Sequence, residues 1–422
     1  MNLQERDKKH LWHPLTQYKL QPEHIAIVKG KGALIWDENN KEYIDGIASW
    51  YTCMYGHCND FIIEKVHEQM QQLDHVTFSG LTHEPAVKLS EQLIKILPDN
   101  QQKIYFADNG STAVETTIKM ALQFFFNKGE KRNRIIALED GFHGDTFGAM
   151  SVSGLSVYNG PFEEFLIDVE RISVPTSTNI ESVKAEMKSM VEKGDVAAFI
   201  YEPLVQGAAA MKMHEPEHIN ELLAIAKKHK VLTIADEVMT GFGKTGKNFA
   251  SDHIETKPDL ICLSKSLGGG MLPIAITSCT QNVFDGFYDD QLSKGFFHAH
   301  TFSGNPVCCS AALASIELLQ TPKMQEHIER VTKSHKEFDN RIKNHPKVAS
   351  TRQCGIIYAL DLNIEMARYG SSRNQLFNHF MDHGVFLRPL GNTIYILAPF
   401  VITDKQLKKV YAAIEAVLEA IQ

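Results

Sequence analysis

Leu260-Ile261-Cys262-Leu263 is an unbroken apolar run, and Ser264-Lys265-Ser266-Leu267-Gly268-Gly269-Gly270 follows it directly. A lysine at the end of a buried strand loses the hydration that keeps its ammonium charged. Such an amine is driven toward neutrality, the form that attacks a carbonyl carbon, and the glycines let backbone approach a flat ligand. Upstream, Val231-Leu232-Thr233-Ile234 runs into Ala235-Asp236-Glu237. An acid so placed must meet a partner or take up a proton. A protonated heterocyclic nitrogen is one partner; a helix N-cap or a salt bridge is the ordinary alternative. A third run, Ala107-Asp108-Asn109-Gly110-Ser111-Thr112-Ala113-Val114-Glu115, follows Ile104-Tyr105-Phe106. Gly110 permits a tight turn, Thr112 with Glu115 fits a capping box, and the free N–H groups of a helix start suit a phosphate. An ordinary helix cap uses the same residues, so this run alone decides nothing.

Positioning these groups takes strands separated by helices. Ile135-Ile136-Ala137-Leu138, Ala197-Ala198-Phe199-Ile200, Val231–Ile234 and Leu260–Leu263 read as fully apolar strands, the pattern of a parallel sheet covered on both faces. Val114, Ile118, Ala121, Leu122 and Phe125 recur at helical spacing after the first strand. The expectation is an α/β fold in which residues 60–315 form the large domain. Residues 1–59 form an N-terminal segment with part of a small α+β domain, and 316–422 supply the rest. Helical patterns over 322–344 and 404–420, with strands near 355–361 and 393–397, define that C-terminal part. Polar residues gather at the C-terminal ends of the central strands, where open α/β sheets bind ligands.

Composition excludes several classes. The chain has 43 Lys and Arg against 51 Asp and Glu, a net charge of −8, so it lacks the basic footprint of a nucleic-acid binder. No apolar stretch reaches membrane-span length, and the start has no signal-peptide core, which points to a cytoplasmic protein without a membrane partner. The seven cysteines include no Cys-x-x-Cys pair and read as reduced thiols. His298-Ala299-His300 hints at a metal, but no further ligand stands at a recognisable spacing, so no metal is expected. Gly243-Lys244-Thr245 resembles the end of a phosphate-binding loop, yet Val238 occupies the position that needs glycine.

Together these residues resemble the class III (omega) aminotransferases, pyridoxal-phosphate enzymes of fold-type I. The resemblance runs from Leu232 through Asp236 and Gly241-Phe242-Gly243-Lys244-Thr245-Gly246 to Pro258-Asp259 and Lys265-Ser266-Leu267-Gly268-Gly269-Gly270, and covers nearly the whole chain. It implies a large domain with a mostly parallel sheet between helices, pyridoxal 5'-phosphate as cofactor, and a homodimer with shared active sites. It further implies that Lys265 bonds the cofactor and carries the proton, and that Asp236 pairs with the ring nitrogen. Gly110 and Ser111 hold the phosphate, with Thr301, beside His300, supplied by the neighbouring subunit. Phe142 stands where the family commonly has Tyr against the cofactor ring.

Within the family, Leu11-Trp12-His13-Pro14, Ser49-Trp50-Tyr51, Gly141-Phe142-His143-Gly144-Asp145-Thr146, Glu202-Pro203-Leu204-Val205-Gln206-Gly207 and Leu387-Arg388-Pro389-Leu390-Gly391 resemble members acting in biotin biosynthesis. Those members convert 8-amino-7-oxononanoate to 7,8-diaminononanoate in a ping-pong reaction, with S-adenosylmethionine or lysine as amino donor. The implied substrate residues are Trp50, Tyr51, Phe142, Lys265, Ala299, Arg388 and Tyr395. By this resemblance Trp50 and Tyr51 make an aromatic slot for the methylene chain and Arg388 is a bidentate partner for the distal carboxylate, the ordinary alternative being a core Trp50 and an Arg388 in a surface ion pair. Leu15 replaces an aromatic residue often found after Trp-His-Pro. Lys244 and the run His298-Ala299-His300-Thr301 depart from the usual adenosylmethionine pattern and tilt the expectation toward lysine. Rival readings are another omega-amine and keto-acid pair, an aminomutase of the same fold, or a non-catalytic protein that binds a phosphorylated ligand.

Overall fold

The computed structural model describes residues 2–20, 24–154 and 159–420. The chain divides into two compact units, residues 61–322 and a unit built from 1–60 and 323–422. Three N-terminal strands, β1 (Ile27–Lys31), β2 (Leu34–Asp37) and β3 (Glu42–Asp45), open the second of these.

The unit 61–322 is organised on β4 (Gln101–Ala107), β5 (Arg134–Leu138), β6 (Val169–Ile172), β7 (Val196–Tyr201), β10 (Leu232–Asp236), β11 (Leu260–Leu263) and β12 (Ala275–Thr280), with a small hairpin of β8 (Val205–Gln206) and β9 (Lys212–Met213). The seven long strands lie in the order β4-β12-β11-β10-β7-β5-β6. Strands β11, β10, β7, β5 and β6 pair in parallel, while β12 is antiparallel to both β11 and β4. All residues of β7, β10 and β11 are buried, as expected of strands covered on both faces. The helix Gly110–Asn127 packs Ala113, Val114, Ile118, Ala121 and Phe125 against Ile135, Ile200, Ile234 and Cys262, with Leu122 only partly covered.

Strand β12 is absent from the apolar reading because Thr277 and Ser278 interrupt it. Both are buried, and their hydroxyls find acceptors: Thr277 donates to the Ala113 carbonyl at 3.1 Å and Ser278 to Gln101 Oε1 at 2.7 Å. A buried polar group with a partner costs little, so the hydropathy pattern breaks while the strand does not. Strand β6 is an edge strand, and its Glu170 and Arg171 hide it in the same way.

The terminal unit continues with β13 (Val348–Cys354), β14 (Ile357–Leu362), β15 (Val385–Phe386) and β16 (Thr393–Ile396). Strand β15 joins β3 in parallel, setting Val385 opposite Ile44 and Phe386 opposite Asp45. The helix Asp404–Ala420 and the long helix ending at Ile342 bury apolar stripes, and the Phe338 and Tyr411 rings stack at 4.1 Å. No helix among the described residues is long and apolar enough to cross a membrane.

Candidate active site

The sheet register brings the acid and the amine to one edge. Asp236, the last residue of β10, lies opposite Cys262 of β11, and Lys265 follows three residues later at the same end. Lys265 takes a left-handed conformation, φ 45°, uncommon for a residue with a Cβ. Burial holds its amine below the usual lysine range, and the charges of Asp236 and Glu202 pull the other way. The amine required for carbonyl attack is thus favoured.

Asp236 is 4% exposed and doubly engaged. Its Oδ2 lies 2.7 Å from His143 Nδ1, and its Oδ1 accepts from the Val238 N–H at 3.0 Å. Burial opposes charge on His143, but the hydrogen bond and charge of Asp236 outweigh it and raise the imidazole above its ordinary pKa. The other ring nitrogen of His143 is buried and has no hydrogen-bond partner.

Glu202 follows β7 at this same edge of the sheet. Its Oε1 accepts from the Phe142 N–H at 2.9 Å and its Oε2 from the Gly207 N–H at 3.0 Å. Burial pushes its carboxyl up to about 7, helped by Asp236 and opposed by His143. His143 and Glu202 stand inside longer sequence runs that assign neither of them a role. A carboxylate directly after six buried strand residues is the sequence signal for Glu202, much as Asp236 itself ends a buried strand.

The start of the helix Gly110–Asn127 is capped differently from expectation. Asn109 Oδ1 accepts from the Thr112 N–H at 3.1 Å, and Thr112 Oγ1 accepts from the Asn109 N–H at 3.2 Å. The box is therefore Asn109 with Thr112, because the helix begins one turn earlier than a Thr112 cap requires. Glu115 instead accepts from the Gly148 and Ala149 N–H groups, at 2.7 and 3.1 Å. Ser111 Oγ lies 2.8 Å from Thr146 Oγ1 and accepts from the Thr146 N–H at 3.0 Å. A Cβ on Gly144 would sit 2.3 Å from Ser111 Oγ, and one on Gly110 2.8 Å from Val238 Cγ1. The helix start therefore rests against the turn after Asp236.

Other sequence candidates fall elsewhere. Lys244 is fully buried and donates to the Gly241 carbonyl at 2.9 Å, which ends its likeness to a phosphate-loop lysine. Ala299 and Thr301 are exposed and His300 is half-buried, on an irregular segment. That segment is tied down by the Tyr105 hydroxyl, which donates to the His298 carbonyl, and by Lys119 Nζ, 2.9 Å from His298 Nδ1. Among the described residues, Asp7, His13 and His24 bring three ligand-type atoms within 4.8 Å of one another, a grouping that sequence spacing did not suggest.

In the terminal unit the expected substrate residues do meet. The Arg388 guanidinium carbon lies 5.0 Å from the Trp50 ring centroid, and Arg388 makes no ion pair among the described residues. The Tyr51 and Tyr395 rings are 5.9 Å apart at 61°. Burial pushes the Tyr395 hydroxyl up to about 12, against the hydrogen bond of Tyr51 and the charges of Arg388 and Arg373. The pairing of β15 with β3 produces this cluster, since it runs Arg388 past the segment that carries Trp50.

The family described as aminotransferase class III matches residues 17–418. The chain belongs to the class III aminotransferases. It is 41% identical to the adenosylmethionine-8-amino-7-oxononanoate aminotransferase of Synechococcus elongatus, over 98% of this chain and 99% of that one. The like-named protein of Geobacter sulfurreducens is 36% identical, over 96% and 94%. Among solved structures, that of the enzyme so named from Methanocaldococcus jannaschii superposes with a TM-score of 0.90 at 31% identity, covering 98% of both chains. An omega transaminase of Pseudomonas jessenii, solved in complex with PMP, gives 0.93 at 25% identity, over 99% and 98%. The protein is therefore a pyridoxal-phosphate-dependent transaminase with the fold-type I architecture. The donor set suits that cofactor: a capped helix start and the Ser111 hydroxyl for a phosphate, a buried carboxylate for a ring nitrogen, and an amine of lowered basicity. Gly144 lets the loop close on Ser111, where a Cβ would meet its hydroxyl oxygen at 2.3 Å.

Proposed function

We propose that this aminotransferase converts 8-amino-7-oxononanoate to 7,8-diaminononanoate, with S-adenosylmethionine as amino donor. The observation that carries the reading is Arg388, without an ion pair among the described residues and stacked on Trp50, with Tyr51 and Tyr395 alongside. A guanidinium without a carboxylate partner beside apolar ring faces suits a substrate that ends in a carboxylate on a methylene chain. The relatives' names support adenosylmethionine as donor and stand against the tilt toward lysine drawn from Lys244 and His300.

In this reading Gly110 and Ser111 would hold the cofactor's phosphate, Phe142 would support its ring, and Asp236 would pair with the ring nitrogen. When bound, pyridoxal phosphate supplies an aldehyde that bonds amines and a ring that takes up the electron pair released at a substrate carbon. Asp236 is held in place by the Val238 N–H and the His143 imidazole. Lys265 Nζ would take the proton from the donor's carbon and redeliver it, a task that its lowered basicity favours. Arg388 fixes the keto acid by its far end, so the carbonyl is oriented before any bond changes. Thr301 serves the neighbouring subunit's phosphate in a homodimer. The exposed Tyr288, Leu292, Phe297 and Phe302 on the same stretch suit burial between two copies. The free cysteines fit a reducing cytoplasm.

The test mixes the cofactor-loaded protein separately with S-adenosylmethionine and with lysine and follows its visible absorbance. Adenosylmethionine should bleach the band, and 8-amino-7-oxononanoate should then restore it. Bleaching by lysine alone would reassign the donor, and failure of the keto acid to restore the band would remove the proposed substrate. Arg388→Ala should raise the KM for the keto acid by about a hundredfold, the value of a charged hydrogen-bonded pair.

A further inference from the structure

Ala48, Ser49, Trp50 and Tyr51 have φ of 46°, 45°, 72° and 71°, one left-handed turn made without a glycine. Left-handed backbone brings each Cβ against the following carbonyl, so residues other than glycine adopt it singly and rarely in succession. Such a run persists only where its surroundings over-determine it, and those places cluster at functional sites.

The surroundings here are specific. Asp45, whose side chain is wholly buried, accepts from the Ile47 N–H at 3.2 Å through Oδ1 and from the Ser49 hydroxyl at 2.9 Å through Oδ2. The same Oδ2 lies 2.8 Å from His57 Nε2. Burial works against charge on His57, but its hydrogen bonds to Asp45 and Cys53 and the charge of Asp45 hold its pKa at about 10. The two side chains stand in ion-pair geometry, with the imidazole against a carboxylate that is itself wholly buried. His57 is itself fixed, since its N–H donates to the Gly32 carbonyl at 2.7 Å and its carbonyl accepts from the Gly32 N–H at 3.0 Å. Gly30 lies so close that a Cβ there would be 3.0 Å from His57 Cβ. Asp45 also sits opposite Phe386, two residues before Arg388. Asp45 thus bears on the turn that carries Trp50 through its carboxylate, and through its backbone pairing on the strand that ends two residues before Arg388.

We propose that Asp45 and His57 are positioning residues that hold the left-handed turn Ala48–Tyr51, and with it the Trp50 face under Arg388, ready for a carboxylate-ended substrate. The proposal rests on the reading of Trp50 and Arg388 as substrate residues and adds what fixes their geometry. Neither Asp45 nor His57 needs to touch substrate. Loss of the clamp lets the turn relax to right-handed backbone and swings Trp50 away.

The test uses the full-length, cofactor-loaded enzyme with Asp45→Asn and, as the milder change, His57→Gln. The KM for 8-amino-7-oxononanoate should rise about tenfold or more, while bleaching by the amino donor alone is unchanged. A second readout needs no substrate: with Trp12 and Trp36 replaced by Phe, Trp50 is the sole tryptophan, and its emission should shift in both variants. The decisive arm is rescue. Glycine adopts left-handed backbone without penalty, so Ser49→Gly added to Asp45→Asn should restore both the KM and the emission. A clamp variant with unaltered Trp50 emission, or a Ser49→Gly double variant no better than its parent, overturns the proposal. Shifted and rescued emission with no keto-acid turnover in the parent enzyme would leave the clamp standing and remove the substrate reading instead.

Discussion

Lys265 and Asp236 illustrate how one burial rule yields opposite outcomes. Both end up at the buried edge of the sheet, yet the lysine keeps its lowered basicity while the acid recruits two donors. Lys265→Ala should therefore abolish both turnover, by about a thousandfold or more, and the visible absorbance of the lysine-bound cofactor. Retained activity would sink the assignment. Glu202 offers a subtler test. Its carboxyl lies near 7 in the folded chain against an ordinary 4.5, so the folded state binds more protons than the unfolded state between those values. Stability then falls as pH rises through that window, by about 3 kcal/mol at most. Relative to Glu202→Gln, the wild-type thermal midpoint should decline from pH 4.5 to pH 7 and level off above it. Parallel curves for the two proteins would show that Glu202 does not titrate there.

At the scale of elements, the sequence reading succeeded where burial and polarity agree. Strands β5, β7, β10 and β11 carry mostly apolar, buried centres (Ile135–Leu138, Val196–Ile200, Leu232–Ala235 with one Thr, and Leu260–Leu263), and the helix Asp404–Ala420 has the bounds its periodicity predicts. It failed where a polar group meets its partner from far along the chain. Thr277 finds Ala113 and Ser278 finds Gln101, so β12 is invisible to hydropathy although every residue in it is buried. The capping box departs from expectation for a similar reason: Glu115 looks free in sequence, but its Oε1 accepts from the N–H groups of both Gly148 and Ala149. Gly144 belongs to the same cradle. It has φ 133°, and a Cβ there would meet Ser111 Oγ at 2.3 Å. Gly144→Ala should loosen cofactor retention about tenfold or more with little change in the donor's own KM. Equilibrium dialysis of pyridoxal phosphate measures it, and unchanged retention would mean that Ser111 does not serve the phosphate.

For the whole molecule, the proposed homodimer makes a testable claim about which subunit would complete which site. Thr301 is exposed, on a stretch whose apolar side chains also face outward, and the family reading gives it to the neighbour. Mixed dimers decide this. Thr301→Ala should weaken cofactor binding, and Lys265→Ala should be inactive. In a hybrid of the two chains, a trans role for Thr301 leaves one site with Lys265 from one subunit and Thr301 from the other, both intact. The second site then lacks both. At limiting pyridoxal phosphate such a hybrid should recover about half the wild-type activity, one whole site of two. If Thr301 acts within its own chain, every site in the hybrid carries one lesion. Activity then stays at no more than half that of the Thr301→Ala dimer, and the shared-site arrangement is wrong.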